Sequence, residues 1–164
     1  MDRTVDRTEQ RIVQRTGTAV AALLAADAAL HLYWATGLTW PAADSRALSQ
    51  AVLNADVPFT PPVVLPLAAL LLAAAAAVLA RAHGLGGPRT ARLCRLATAA
   101  VATGLLLRGA AGIVWACGPG TDPGSAFRLL DQVLYTPLCL GFGAAAARAA
   151  GLRPRRAVRD FRRG

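Results

Sequence analysis

PPVVLPLAALLLAAAAAVLARA, residues 61–82, is the stretch on which the fold turns. From Val63 to Ala80 it carries no charge, no Gly and no side-chain polar atom, and Arg81 is the first ionisable group after it. A helical run of about 20 apolar residues matches a hydrocarbon core about 30 Å thick and satisfies its backbone hydrogen bonds internally. Pro61 and Pro62 suit the first helical turn, where a missing N–H costs nothing. A membrane span is therefore read from about Pro62 to Ala82.

Three more apolar segments of similar length lie on either side, at about 17–38, 96–117 and 127–150. The chain has 164 residues, 55% of them hydrophobic but only 5% aromatic, so its apolar content is mostly Ala, Leu and Val in blocks. That composition is too apolar for a typical soluble domain of this size. The expected fold is all-α, a four-span transmembrane helix bundle over 17–150. A basic arm (1–16) precedes it and a basic tail (151–164) follows. In the arm, Arg3, Arg7, Arg11 and Arg15 would form one stripe on a helix that lies on anionic lipid, or else belong to a solvated arm. Residues 17–30 have the length of a signal-peptide core, but the apolar run continues through Trp34, so they are read as part of a span.

All eighteen basic residues are Arg. Four lie in the arm, four in the second-to-third connection (Arg81, Arg89, Arg92, Arg95) and seven from Arg148 onward. The other two connections hold only Arg46 and Arg128, and Arg108 lies within a span. By the positive-inside rule both termini are expected in the cytoplasm. This distribution also argues against nucleic acid as a partner, because the Arg residues flank apolar segments instead of forming a basic face with aromatic platforms. The lack of Lys beside abundant Ala, Gly and Pro resembles the coding bias of a GC-rich bacterial genome, so the expected location is a bacterial cytoplasmic membrane. Cys94, Cys117 and Cys139 have no CxxC spacing, and no metal site is expected. No Ser-His-Asp arrangement, HExxH or phosphate loop points to catalytic residues or a cofactor.

Six residues break the apolar pattern. Asp27, His31 and Trp34 follow one another at four and three, on one face of the first span. Arg108 sits in the third span with Gly104 and Gly112 one turn away on either side, where small residues let a neighbouring helix approach. Asp131 and Tyr135 are one turn apart in the fourth, followed by Pro137, which can kink the helix. An Arg at mid-membrane costs about 2.5–3.5 kcal/mol to insert, while each Leu, Ile or Val returns about 0.3–0.6. The seven such residues of the third span approximately cancel Arg108 alone. Each charged helix must therefore turn its charge inward toward a partner. At about 1.5 Å per residue Asp27, His31, Arg108, Asp131 and Tyr135 all fall in the middle or outer half of the bilayer. A convergent polar cluster of Asp27, His31, Trp34, Arg108, Asp131 and Tyr135 is expected, either as a register-fixing ion pair or as a ligand or proton site. Trp40 and Trp115 read as headgroup-level anchors, and Cys139 as a small apolar filler.

Three stretches together carry a family resemblance: HLYWATGLTW (31–40), LLLRGAAG (105–112) and FRLLDQVLYTPLCLGFG (127–143). They resemble the small bacterial membrane proteins of domain of unknown function 3995. The matching positions are His31, Tyr33, Trp34, Ala35 and Gly37; Leu107, Arg108 and Gly112; and Asp131, Tyr135, Pro137, Leu138 and Cys139. Thr136 stands for a usual Ser and keeps the hydroxyl, and Leu38 stands where a second Gly is common. The resemblance implies a four-helix membrane fold and no known activity. Asp27 is not among the matched positions, so its role rests on geometry alone.

The expected function is a non-enzymatic membrane protein with an intramembrane polar pocket for a small ligand or lipid, or one that modulates a membrane-protein partner. A proton-coupled carrier or enzyme using His31 and Arg108 is the alternative, and a structural subunit of a larger complex is a third. Membrane lipids, a homo-oligomer or another membrane protein are the partner classes, and a transporter of four short spans would need a second copy. Topology reporters fused at Gly86 and after Gly164 should both report cytoplasm, and one near Asp44 the outside. An outside signal at Gly86 would overturn the orientation.

Overall fold

The computed structural model describes residues 2–118 and 125–152, with side chains from residue 7 onward. The expected tail therefore lies outside the described residues from position 153. The order is α1 (Asp2–Ala35), α2 (Ser45–Leu53), α3 (Pro61–His83), α4 (Pro88–Ala116), α5 (Ala126–Leu130), a π-helical turn (Asp131–Tyr135) and α6 (Thr136–Ala150). No strand occurs among the described residues. Four helical stretches, Arg7–Ala35, Pro61–His83, Pro88–Ala116 and Ala126–Ala150, are long and apolar enough to cross a membrane. This is the make-up of a multi-pass membrane protein.

Local chemistry sets most of the boundaries. α3 and α4 begin at Pro61 and Pro88, in the first turn, where proline fits. α3 and α6 each end on a left-handed glycine, Gly84 (φ 66°) and Gly151 (φ 79°). In both, the following N–H returns to a carbonyl of the last turns, Leu85 to Ala80 and Leu152 to Ala147, a closure that L-residues rarely permit. α1 stops at Ala35, three residues before the expected Leu38, because Gly37 turns the chain at φ 89°. At its other end α1 is continuous through residues 2–16, so the stretch read as an arm and the first span form one helix of 34 residues.

α2 was not foreseen. It begins on Asp44, whose carboxylate accepts the Ala47 N–H at 2.8 Å. The hydroxyl of Ser49, buried on this helix, donates to Ala55 O and accepts the Val57 N–H, so the connection folds back on itself. The helix touches α5. This end of the bundle is thus covered by ordered structure.

The spans pack most extensively as α1 with α3 and α4 with α6, and the two pairs are joined by α3–α4 and by a sparser α1–α6 contact. The core between them is mostly Ala and Val: Val20, Ala21, Ala75, Val78, Ala102 and Ala146, with Leu24. Many Leu side chains, such as Leu65, Leu70 and Leu107, point outward. Lipid tails are as apolar as Leu, so burying large side chains gains little, and close backbone packing holds the helices together.

Glycine makes the α4–α6 approach possible. A β-carbon on Gly143 would meet Leu106 Cγ at 2.9 Å and its backbone N at 3.1 Å, and one on Gly109 would meet Leu140 Cδ2 at 2.6 Å. Gly104, read from the sequence as one of the small neighbours of Arg108, faces open space instead. Gly109, Gly112 and Gly143 do that work, because α4 turns this stripe toward α6. Gly143→Ala should lower the melting temperature in detergent, since overpacking costs about 1–3 kcal/mol. Gly104→Ala should leave it unchanged or raise it, Ala being favoured over Gly in a helix by about 1 kcal/mol. Equal effects from the two would contradict this packing.

Candidate functional site

The fourth span contains a local irregularity with a sequence cause. Pro137 has no N–H to donate, and its ring crowds the carbonyl one turn back. The chain widens just before it: the Thr136 N–H bonds to Asp131 O, an i→i+5 link that makes Asp131–Tyr135 a π-turn. In a regular helix of 3.6 residues per turn, residues five apart do not share a face. Across the π-turn they do, and Thr136 Oγ1 donates to Asp131 Oδ2 at 3.0 Å.

Arg108 of α4 donates from Nη2 to the other carboxylate oxygen, Asp131 Oδ1, at 2.5 Å. Asp131 is 1% exposed, so this is a buried anion held by two donors. The guanidinium lies over the ring of Trp115, 4.9 Å from its centroid, and 5.8 Å from that of Tyr135, both within cation–π range. Trp115 in turn meets Phe127 of α5 edge-on at 5.3 Å. It therefore frames the Arg108 site as well as marking the helix end. A β-carbon on Gly112 would overlap the Thr136 hydroxyl and crowd Asp131 Oδ2, so glycine is required where the two helices bring these groups together. The remaining amino group, Nη1, is enclosed yet has no hydrogen-bond partner.

A second network occupies α1. His31 Nδ1 lies 2.9 Å from Asp27 O and 3.5 Å from Asp27 Oδ1. The imidazole side chain is 11% exposed, whereas that of Asp27 is 47% exposed. His31 meets Trp34 edge-on at 5.2 Å, and Trp34 meets Phe59 at 5.4 Å. The Trp34 indole N–H donates to Trp40 O at 3.2 Å, tying the helix to the turn that follows it. Trp34 and Phe59, with Leu38, Thr39, Ser45 and Leu48, line a cavity of about 270 Å³ beneath α2. Phe59 and this cavity escaped the sequence reading, because nothing in the spacing of VPFTPP tells that the loop folds over Trp34.

The six residues thus form two networks instead of one. Among the described residues no hydrogen bond or ion pair joins Asp27 or His31 to Arg108 or Asp131. Helix contacts give the relative levels: Gly17 faces Ala149 and Gly109 faces Leu140, so counting along these antiparallel helices sets Asp27 and Arg108 opposite positions 139–141, about one turn from Tyr135. Cys139, expected as packed filler, is part-exposed.

Residues 22–146 match the family described as Protein of unknown function (DUF3995), a range that contains all six candidate residues. No curated protein and no solved structure matches the chain.

Arg108→Ala and Asp131→Asn should each destabilise the fold, toward the lower end of about 3–5 kcal/mol because Arg108 is partly exposed. The double variant should lose less than the sum, since neither charge is left alone. Thermal melting in detergent completes the cycle, and strictly additive losses would mean the pair is not coupled. Gly112→Ala should approach the single charge variants in severity, by prising Thr136 and Asp131 away from α4.

Proposed function

The chain belongs to the DUF3995 family, which has no assigned activity, and we propose that it is a non-enzymatic membrane protein that binds a small polar ligand or a lipid headgroup at Arg108. In this reading both termini lie in the cytoplasm of a bacterial cell. The α2 end faces outward, and the cluster sits toward the outer leaflet.

The carrying observation is the unpartnered Nη1 of Arg108. A guanidinium cannot shed its proton, and it presents five N–H donors in a rigid fork. A buried donor without an acceptor costs about 1–3 kcal/mol, more on a charged group. One edge of the fork is fixed on Asp131, and the aromatic faces of Trp115 and Tyr135 hold its plane. Nη1 itself is enclosed, so an acceptor oxygen from outside the protein reaches it where the side chain, 31% exposed as a whole, shifts to open that edge of the fork.

A second reading draws on the other network. His31 stands beside the half-exposed carboxylate of Asp27, an arrangement suited to proton exchange in a carrier or enzyme. It lacks a continuous hydrogen-bonded route to Arg108 among the described residues, so the binding role is preferred. A role as a structural subunit of a larger membrane complex, or as a homo-oligomer, would use the same fold without needing the free donor.

Native mass spectrometry of the protein extracted with its own lipids tests the binding role. A stoichiometric small molecule or lipid should be retained by the natural protein. It should be largely lost in Arg108→Lys, which keeps the charge but cannot hold Asp131 and a second acceptor with one planar fork. Retention of a second protein with no small molecule would favour the subunit role, and retention of neither would sink the proposal.

A further inference from the structure

We infer that the C-termini of α3 and α6 form a phosphate-binding site at the end of the bundle opposite α2, with Arg81 and Arg148 as its cations. An anionic phospholipid is the phosphate source that the surroundings favour. The site is separate from anything that Arg108 binds.

The two helices close with one five-residue signature, RAHGL at 81–85 and RAAGL at 148–152. Their backbones close alike. The left-handed glycine returns its N–H to the arginine carbonyl, Gly84 to Arg81 and Gly151 to Arg148. The next N–H reaches one residue further back, Leu85 to Ala80 and Leu152 to Ala147. The alanine after each arginine is buried against Gly17 of α1, where a β-carbon would overlap that of Ala82 and meet that of Ala149 at 3.7 Å. The two arginines therefore leave equivalent positions on helix ends that meet at one level. Arg81 reaches toward the other cap: its Nη2 lies 3.8 Å from where a β-carbon on Gly151 would stand.

Neither arginine has an acceptor. Among the described residues the side chains of Arg81 and Arg148 make no hydrogen bond or ion pair, and Arg81 Nε is enclosed without a partner. Packing thus fixes the stem of Arg81. The far edge of its fork is open, because Arg81 is part-exposed and the glycine beside Nη2 is exposed, as is Arg148. A guanidinium keeps its proton, so two cations stand near each other. The sequence has no Asp or Glu between Glu9 and Asp27, between Asp56 and Asp122, or between Asp131 and Asp160. The nearest carboxylate on α1, Glu9, is eight residues from Gly17, about 12 Å along the helix. The helices that meet here supply no counter-charge at this level, and an anion from outside answers the need.

Phosphate fits that need in shape and in place. Guanidinium forks take phosphate oxygens in pairs. Each arginine is the first charged residue after its helix's apolar run, where hydrocarbon gives way to headgroups. Leu85 and Leu152, beside the two glycines, are 57% and 53% exposed, so apolar surface adjoins the cations as acyl chains adjoin a lipid phosphate. Basic pockets between spanning helices on the cytoplasmic side bind phospholipid headgroups, and this end is cytoplasmic in the orientation proposed above.

The test titrates the full chain in detergent with short-chain phosphatidylglycerol and short-chain phosphatidylcholine, read by native mass spectrometry. Phosphatidylglycerol should bind at least tenfold tighter than phosphatidylcholine, whose ammonium cancels the phosphate charge. Arg81→Gln and Arg148→Gln should each weaken phosphatidylglycerol at least tenfold. Arg92→Gln, which removes a charge from the same end but outside both caps, should change it less than threefold. Arg148 is exposed and unpartnered, so its variant should fold even where Arg81→Gln does not, and an unshifted melting temperature checks this. Bound phosphatidylglycerol should raise the melting temperature of the natural protein and not that of Arg148→Gln. Competition by soluble glycerol 3-phosphate would show that the phosphate alone suffices. Its failure to compete, with the lipid preference intact, would assign the site to the whole lipid. Equal losses in all three variants would mean diffuse attraction to a basic surface and overturn the site, as would equal binding of the two lipids. Loss of phosphatidylglycerol in Arg108→Lys, with none in Arg81→Gln or Arg148→Gln, would place the lipid at Arg108, overturning this inference and leaving the reading above intact.

Discussion

A guanidinium that cannot lose its proton, set in a helix that must cross lipid, is the constraint around which the rest is arranged. Arg108 needs an anion, and Asp131 supplies one from the next spanning segment. Gly112 removes the β-carbon that would keep the two helices apart. The π-turn ahead of Pro137 brings Thr136 to the same face as Asp131, so the second carboxylate oxygen is also met. Trp115 and Tyr135 close over the guanidinium. Each of these features makes little sense alone, and together they bury one ion pair with one donor left over.

The same economy governs the packing. A core of Ala, Val and Gly cannot stabilise a bundle by the area it removes from water, because the spans are already out of water. It lets backbones approach and side chains interlock. The ion pair sits in the extensive α4–α6 contact, while α1 meets α6 more sparsely and Asp27 is left half-open. Extensive packing thus builds the anchored half of the polar cluster, and sparser packing leaves its other half accessible.

The end of the bundle beside α2 adds a layer of order. Trp34 is held on three sides, by His31, by Phe59 and by the Trp40 carbonyl, and Ser49 pins the loop that carries Phe59. His31 therefore belongs to a continuous packed column from Asp27 up to the cavity under α2.

Four spans, their all-helical character and the need of Arg108 for a partner were determined by the sequence alone, since hydrocarbon thickness and the insertion cost of charge depend only on residue type and run length. The shared face of Asp27, His31 and Trp34 was equally legible, because helical periodicity is local. Tertiary structure decided the rest. Gly109 and Gly143 matter and Gly104 does not, because the rotation of α4 about its axis is set by what α6 presents to it. Asp131 and Thr136 cooperate only because a π-turn replaces a regular one, a change in local winding that 3.6-residue counting cannot reveal. Phe59 reaches Trp34 from 25 residues along the chain, through a loop whose path depends on Ser49 and α2. The division of one expected cluster into two networks has the same origin: spacing along a helix says which residues share a face, and only packing between helices says which faces meet.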